Sequence, residues 1–440
     1  MKQIVYIFLL ICIPGYLSAQ QQHVFDLKSC LQIGLDNNFS IRISRNAEEI
    51  SKNNVTLANA GFLPTLDLTG SYTGNLNTTE TTLRETGAKT KTSNIYDQTL
   101  YAGISLNWTI FDGFNITTNY QKLKELEKIG ETNTRITIED FIANLTAEYY
   151  NFLQQKIRLN NLRYAVSLSK ERLRIVEARY NIGSFSRLDL QQARVDFNAD
   201  SSKYMKQQEL VNSSRISLNE LMARRDLDQE LNIPDSVIDV NMYLNFDELW
   251  NGTLLTNANL LKAEQNRTLT QLDLKTVNSR NYPYVRLNSG YGYTLNKYEV
   301  AANSKRSNLG LNAGVTVGFN IFDGNRRRER KNALIAIENA RLQRQQLEQA
   351  LQADITNLWQ AYLNNIEILM LERENLVAAK ENHEIATERY MLGDLSGIEM
   401  REAQKSLLDA EERILSAEYE TKLCEISLLQ ISGRISHYLE

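Results

Sequence analysis

Side chains suited to covalent or metal chemistry are few in this sequence, and they are widely separated. The three histidines are His23, His383 and His437, and His383 falls on what reads as the polar face of a helix. They suggest neither a metal cluster nor a nucleophile–base–acid triad. Gly290 and Gly292 lie inside a strand pattern and precede no helix, so they do not form a phosphate cradle. Cys12 falls in an apolar leader, while Cys30 and Cys424 read as two buried thiols rather than a disulfide framework. Charge is the more distinctive signal. Glu399 and Glu402 are three residues apart and share one helical face, which by itself reads as a solvated surface. Arg326, Arg327, Arg328, Arg330 and Lys331 form the densest basic run, read as a solvated face or a head-group contact. The 49 basic and 53 acidic residues are mixed along the chain and give a net charge of -4, which leaves no footprint for nucleic acid.

The elements that hold these residues are organised by an internal duplication. Pro64-Thr-Leu-Asp-Leu-Thr-Gly-Ser-Tyr72 is answered by Pro283-Tyr-Val-Arg-Leu-Asn-Ser-Gly-Tyr291. Gly103-Ile-Ser-Leu-Asn-Trp-Thr-Ile-Phe-Asp-Gly113 is answered by Gly314-Val-Thr-Val-Gly-Phe-Asn-Ile-Phe-Asp-Gly324. A third pair sets Arg179-Tyr180-Asn-Ile-Gly183-Ser-Phe-Ser186 beside Arg389-Tyr390-Met-Leu-Gly393-Asp-Leu-Ser396. The order is the same in both halves, which divides the chain into residues 20–230 and 231–440.

Around the first two anchor pairs the apolar period is two, as in strands with one apolar face. Strands are expected at about residues 64–77, 99–111, 282–295 and 309–322, joined by polar loops at 78–98 and 296–308. Each is long enough for the roughly 9 to 11 residues that a tilted strand needs to cross a bilayer. After Gly113 and Gly324 the period becomes helical: Leu347, Leu351, Ile355, Leu358, Tyr362, Ile366 and Leu369 step by three or four, as do Phe141, Leu145, Tyr149 and Phe152. The spacing predicts helices of about 100 Å over residues 115–182 and 325–392. Gly183 and Gly393 stop them, and returning helices follow at 184–223 and 394–432. Pro64, Pro234 and Pro283 all fall at boundaries. Residues 1–19 read as a secretory leader, with Lys2, the apolar stretch Ile4 to Ile13 and a Leu17-Ser18-Ala19 cleavage site, so the mature chain is expected to start near Gln20 without a lipid on Cys12.

No stretch after the leader reaches the roughly 18 apolar residues of a membrane helix, so entry into a membrane requires strands. Four strands do not close a barrel, and an open sheet in lipid leaves two edges of unpaired backbone at several kcal/mol per group. Closure therefore needs further copies: two would give eight strands, three would give twelve. The competing reading is a periplasmic coiled-coil scaffold or adhesin with a soluble β-domain. Tyr72, Tyr101, Trp108, Tyr282, Tyr284 and Tyr298, many near strand ends, favour the membrane.

Phe25-Asp26-Leu27 through Asn37-Asn38, Ala60-Gly61-Phe62-Leu63-Pro64, the paired Phe-Asp-Gly triplets and the paired Arg-Tyr-x-x-Gly-x-x-Ser turns together resemble the TolC family of outer-membrane factors over essentially the whole mature chain. The resemblance implies an α+β membrane protein: a homotrimer sharing a twelve-stranded β-barrel in outer-membrane lipid, continued into the periplasm by an α-barrel of coiled-coil helices. It implies a passive exit duct with no cofactor and no catalytic residue, docked to a periplasmic adaptor and an inner-membrane pump of the resistance-nodulation-division or ABC kind. It places Gly183, Ser186, Gly393 and Ser396 at the tip met by the adaptor and Tyr180 and Tyr390 in the packing of the gate. Glu399 and Glu402, with Asp189 after the first tip, match acidic positions that ring the channel entrance. Leu395 stands where the family pattern carries a gate-locking arginine, a role for which Arg187 is the substitute in this sequence.

Overall fold

A computed structural model describes residues 25–300 and 303–439. The expected leader, Cys12, the cleavage site and His23 lie outside the described residues. Three short helices open the chain, α1 (Leu27–Asn37), α2 (Phe39–Asn53) and α3 (Leu57–Ala60), followed by strands β1 (Thr65–Thr82) and β2 (Lys89–Asp112). Helix α4 (Asn115–Asn181) and its return α5 (Arg187–Leu221) complete the first half. The second half repeats the order with α6 (Phe246–Thr256), α7 (Ala258–Ser279), β3 (Tyr284–Lys297), β4 (Lys305–Gly318), α8 (Gly324–Leu392) and α9 (Gly397–Ile431). With 67 and 69 residues, α4 and α8 each run about 100 Å. Among the described residues no helix is long and apolar enough to cross a membrane.

The four strands form one antiparallel sheet in the order β1-β2-β3-β4. Its register aligns apolar residues across all strands: Leu68 faces Ile104, Ile104 faces Tyr291 and Tyr291 faces Leu311. Because side chains alternate along a strand, this row defines one continuous apolar face. Leu66, Leu68, Leu309, Leu311, Val315 and Val317 stand exposed on it. The opposite face carries Thr69, Ser71, Thr99, Asn107, Asn288, Thr294 and Asn312, with Asp67 paired in register with Ser105. Such a sheet has no core of its own. Its apolar face and its two outer edges, β1 and β4, need partners.

Three expectations about the strands need correction. The loop expected at 78–98 is mostly strand: β1 continues to Thr82 and β2 begins at Lys89, because backbone pairing continues through polar Thr and Lys residues without an apolar pattern. The second loop is likewise shorter, since β3 reaches Lys297 and β4 begins at Lys305, while β4 ends at Gly318 rather than near residue 322. A bulge between Thr109 and Phe111 also takes Ile110 out of the ladder, so the alternation does not run unbroken to the end of β2. The returning helices start at Arg187 and Gly397, three residues later than expected, because the tip segments cap helices instead of extending them.

The repeated motifs have a local physical basis. In each Phe-Asp-Gly triplet the aspartate caps the following long helix: Asp112 Oδ1 accepts from the Ile116 amide at 3.0 Å, and Asp323 Oδ1 from the Asn325 amide at 2.9 Å. Only the first triplet requires its glycine for conformation. Gly113 has φ +70°, and an added Cβ would meet the Ser279 carbonyl oxygen at 2.2 Å, whereas at Gly324 an added Cβ would meet only the Phe322 ring, at an ordinary contact distance of 3.8 Å. Asn38 and Asn257 form a second matched pair. Each caps a helix with its side-chain oxygen, α2 and α7 respectively. Each also donates its side-chain NH₂ to a terminal carbonyl of its own returning helix, Leu221 at 3.0 Å and Ile431 at 2.9 Å. The main core gathers where these short helices meet α4 and α8, around Leu31, Leu145, Tyr149, Leu218, Ile355, Tyr362 and Leu428.

Candidate functional site

The expected entrance residues lie at the two helix tips, about 100 Å along α4 and α8 from the sheet. Both tips are built the same way. Gly183 (φ +81°) and Gly393 (φ +90°) adopt the left-handed conformation that ends the long helices. The amide of Gly183 bonds the Tyr180 carbonyl and that of Ser184 the Arg179 carbonyl, both at 2.9 Å; Gly393 and Asp394 repeat this with Tyr390 at 3.2 Å and Arg389 at 2.9 Å. Two such bonds satisfy carbonyls that a helix end leaves open. An added Cβ would meet nothing within 4 Å at either glycine, so the turns face solvent in the single subunit.

Each returning helix then starts in a capping box. Ser186 Oγ accepts from the Asp189 amide at 3.2 Å, while Asp189 Oδ2 accepts from the Ser186 amide at 3.0 Å. Ser396 Oγ and Glu399 Oε2 do the same, at 3.2 and 2.9 Å. The hydrogen bonds from the Ser186 hydroxyl and amide hold Asp189 below the ordinary carboxylate range, and those from Ser396 hold Glu399 down likewise. Two of the three expected acidic residues therefore have a structural task. Glu402 is exposed and makes no hydrogen bond or ion pair with the described residues, so of the three its carboxylate is the free one.

Packing separates the tips. Tyr390 is 3% exposed among Ala386, Met400 and Ala403, with Ile175 and Leu395 against it. Tyr180, at the equivalent place in the first repeat, is 37% exposed. Arg179 joins the two turns: its guanidinium lies 5.2 Å from the Phe185 ring and 5.6 Å from the Tyr390 ring. Leu395 packs half-buried against this apolar cluster, and Arg187 is exposed with no ion pair among the described residues.

A charged network that sequence reasoning missed lies about one to four turns above the tips. Arg401 on α9 grips Asp200 on α5 with both terminal nitrogens, at 2.7 and 2.9 Å, and Ser169 on α4 donates to the same carboxylate. Arg172 on α4 donates to Asp196 on α5, which lies 4.0 Å from Arg401 Nε. Asp200 is 2% exposed. Burial pushes its carboxyl up, but the hydrogen bonds from Arg401 and Ser169 outweigh this and hold it below the usual range. The sequence signal was weak: Ser169 and Arg172 are three residues apart and Asp196 and Asp200 four, so each pair shares a helical face. Nothing local reveals that α9 brings an arginine to them.

His383 also departs from expectation. It is 7% exposed rather than on a polar face, because α9 covers that side of α8. Its Nε2 has no hydrogen-bond partner, and burial lowers its pKa. Cys30 is buried, Cys424 half-buried, and both are free thiols. Among the described residues no group of histidine, cysteine, aspartate and glutamate could hold a metal ion.

A duplicated chain with an open four-stranded sheet and two capped tips 100 Å away is the architecture of an envelope-spanning duct. The chain belongs to the outer membrane efflux protein family, whose model matches residues 30–224 and 249–434. It is similar to outer membrane protein TolC of Vibrio cholerae serotype O1, at 22% identity over 395 residues that cover 87% of this chain and 84% of the relative. A membrane protein from Pseudomonas aeruginosa shares the fold with a TM-score of 0.75 at 16% identity, covering 92% of this chain and 93% of that one. The CmeC outer membrane channel of Campylobacter jejuni gives 0.72 at 18% identity, covering 93% and 85%. The protein is an outer-membrane efflux channel, and its family is one of ducts rather than enzymes. The reading as a soluble scaffold or adhesin is not favoured.

Proposed function

We propose that three copies of the chain close a twelve-stranded barrel, and that the paired tips form the gated periplasmic entrance of the duct. The observation that carries this reading is the sheet: it has four strands, two unpaired edges, one apolar face and one polar face. In lipid each unpaired backbone group costs several kcal/mol, and joining β4 of one copy to β1 of the next removes every edge. The polar face then lines the bore, and the long helices continue it toward the inner membrane.

The duct does no chemistry and takes its energy from an inner-membrane pump of the resistance-nodulation-division or ABC kind, reached through a periplasmic adaptor. The turns at Gly183, Ser186, Gly393 and Ser396 are where the adaptor docks. Ile182, Leu188, Leu392 and Ile398, each more than three-quarters exposed around those turns, supply apolar contact surface there. Glu402 supplies the acidic ring at the entrance, with Glu399 and Asp189 adding charge while capping their helices. Tyr390 and Arg179 pack the gate. The Arg401–Asp200 pair takes over the lock, in place of the arginine missing at Leu395 and of Arg187.

Mass measurement of the purified protein in mild detergent tests the assembly. A stable trimer with heat-modifiable migration is expected; a monodisperse monomer with intact strand content contradicts it.

A further inference from the structure

The apolar row facing the membrane does not stop where β4 ends. Val315 and Val317 are followed by Phe319, Ile321 and Phe322, and the last two are 89% and 86% exposed. Helix α8 then begins, and its first turns carry Arg326, Arg327, Arg328, Arg330 and Lys331. Arg326 is committed to the fold, donating to Asn281 Oδ1 at 3.2 Å and to the Asn320 carbonyl at 3.1 Å. The other four are exposed. The one carboxylate among them, Glu329, is taken by Arg280 at 2.6 Å and lies 4.0 Å from Arg328. Lys331 stands four residues from Arg327 and three from Arg328, so each arginine neighbours it along the helix surface, and the one nearby carboxylate, shared with Arg280, does not balance the three cations.

The first repeat shows that this corner does not need such charge. The matching start of α4 reads Asn115-Ile-Thr-Thr-Asn-Tyr-Gln-Lys122, and its single lysine pairs with Asp273 at 2.6 Å. The two corners share a strand end, a capping aspartate and a long helix, yet only the second carries uncompensated cations directly below exposed aromatic side chains.

We propose that this corner is a binding site for an anionic phospholipid of the periplasm-facing leaflet. Phe319, Ile321 and Phe322 take the acyl chains, and Arg327, Arg328 and Lys331 take the phosphate. The spacing fits, since residues 327–331 lie about 5–10 Å along the axis from the start of α8, the distance from acyl boundary to head group. Charge complementarity and continuity with the lipid-facing sheet select a lipid over a free ion. A basic side chain at an anionic surface is worth roughly fivefold in affinity. The proposal rests on the outer-membrane placement of the sheet.

Native mass spectrometry of the intact assembly, titrated with dioleoylphosphatidylglycerol or dioleoylphosphatidylcholine, tests it. The wild type should bind the anionic lipid at least about fivefold more tightly. Combined Arg327→Gln, Arg328→Gln and Lys331→Gln should abolish that preference, and a variant with both arginines replaced by lysine should keep it. Equal binding of the two lipids by the wild type overturns the proposal, as does an unchanged preference in the glutamine variant. Displacement of the lipid by low-millimolar inorganic phosphate overturns the lipid as occupant. If the protein does not insert into phosphatidylcholine vesicles at all, it is the membrane placement that fails, separately from this site.

Discussion

At the first tip Tyr180 stays more than a third exposed, while Tyr390, at the same position of an equivalent helix stop, is buried beneath Arg179. The backbones of the two turns match bond for bond: a left-handed glycine, the same pair of closing hydrogen bonds, then a serine capping box. Their surroundings differ because Arg179 and Ile175 of the first repeat pack onto the second tip. Duplication therefore fixes the turn, and the packing of one repeat on the other decides which tip is held. In the single subunit the tyrosine of the second tip is held and that of the first is not.

The largest expected effect separates the two tyrosines. Tyr390→Ala should lower the local opening free energy of residues 386–403 by about 3 kcal/mol, as for a buried aromatic ring, while Tyr180→Ala should cost under about 1 kcal/mol. Hydrogen exchange measures both, and equal losses would erase the distinction. Next comes the network above the tips. Removing one partner of a buried pair costs about 3–5 kcal/mol, which we reduce to about 2 kcal/mol for Arg401→Gln because Arg401 is partly exposed. Asp200 has a folded pKa below its unfolded one, so its contribution is complete above the ordinary carboxylate range and is lost as pH falls through the lowered value. Acidification only to about pH 5 should therefore leave exchange at the Asp200–Arg401 contact unchanged; a loss there would show that the carboxylate is not held down. The smallest effects concern the caps. Ser186→Ala and Ser396→Ala should each cost about 1 kcal/mol and by equal amounts, whereas Glu399→Gln should cost almost nothing, since glutamine serves the same box. Exchange at the first turns of α5 and α9 distinguishes these outcomes.

Much of the scaffold could be read from residues. Helical period and glycine stops mark α4 and α8, and alternation marks the apolar rows of β2 and β4, because both signals are local. The polar extension of the first hairpin was not legible: Thr79, Thr81, Thr90 and Thr92 lie in the ladder without an apolar partner pattern to announce them. The site was legible only in part. Gly183, Ser186, Gly393 and Ser396 carry their conformational roles in their own chemistry. The burial of Tyr390 and His383 depends on how α9 folds back along α8, and the meeting of Arg401 with Asp200 on a contact between repeats more than 200 positions apart. The double duty of Glu399 was recoverable, since Ser396-Gly-Ile-Glu399 is a capping-box pattern.

The most direct test of the account is ion selectivity in planar bilayers under a salt gradient. Rings of carboxylates at a narrow opening favour cations, and of Asp189, Glu399 and Glu402 it is Glu402 that has no partner among the described residues. The wild-type channel should be cation-selective and blocked by trivalent cations from the periplasmic side. Glu402→Gln should remove the larger part of both properties, Glu399→Gln the smaller part, and the double variant nearly all, with the trimer intact. Wild-type selectivity and block in the double variant would contradict the account and return both glutamates to an outer solvated face.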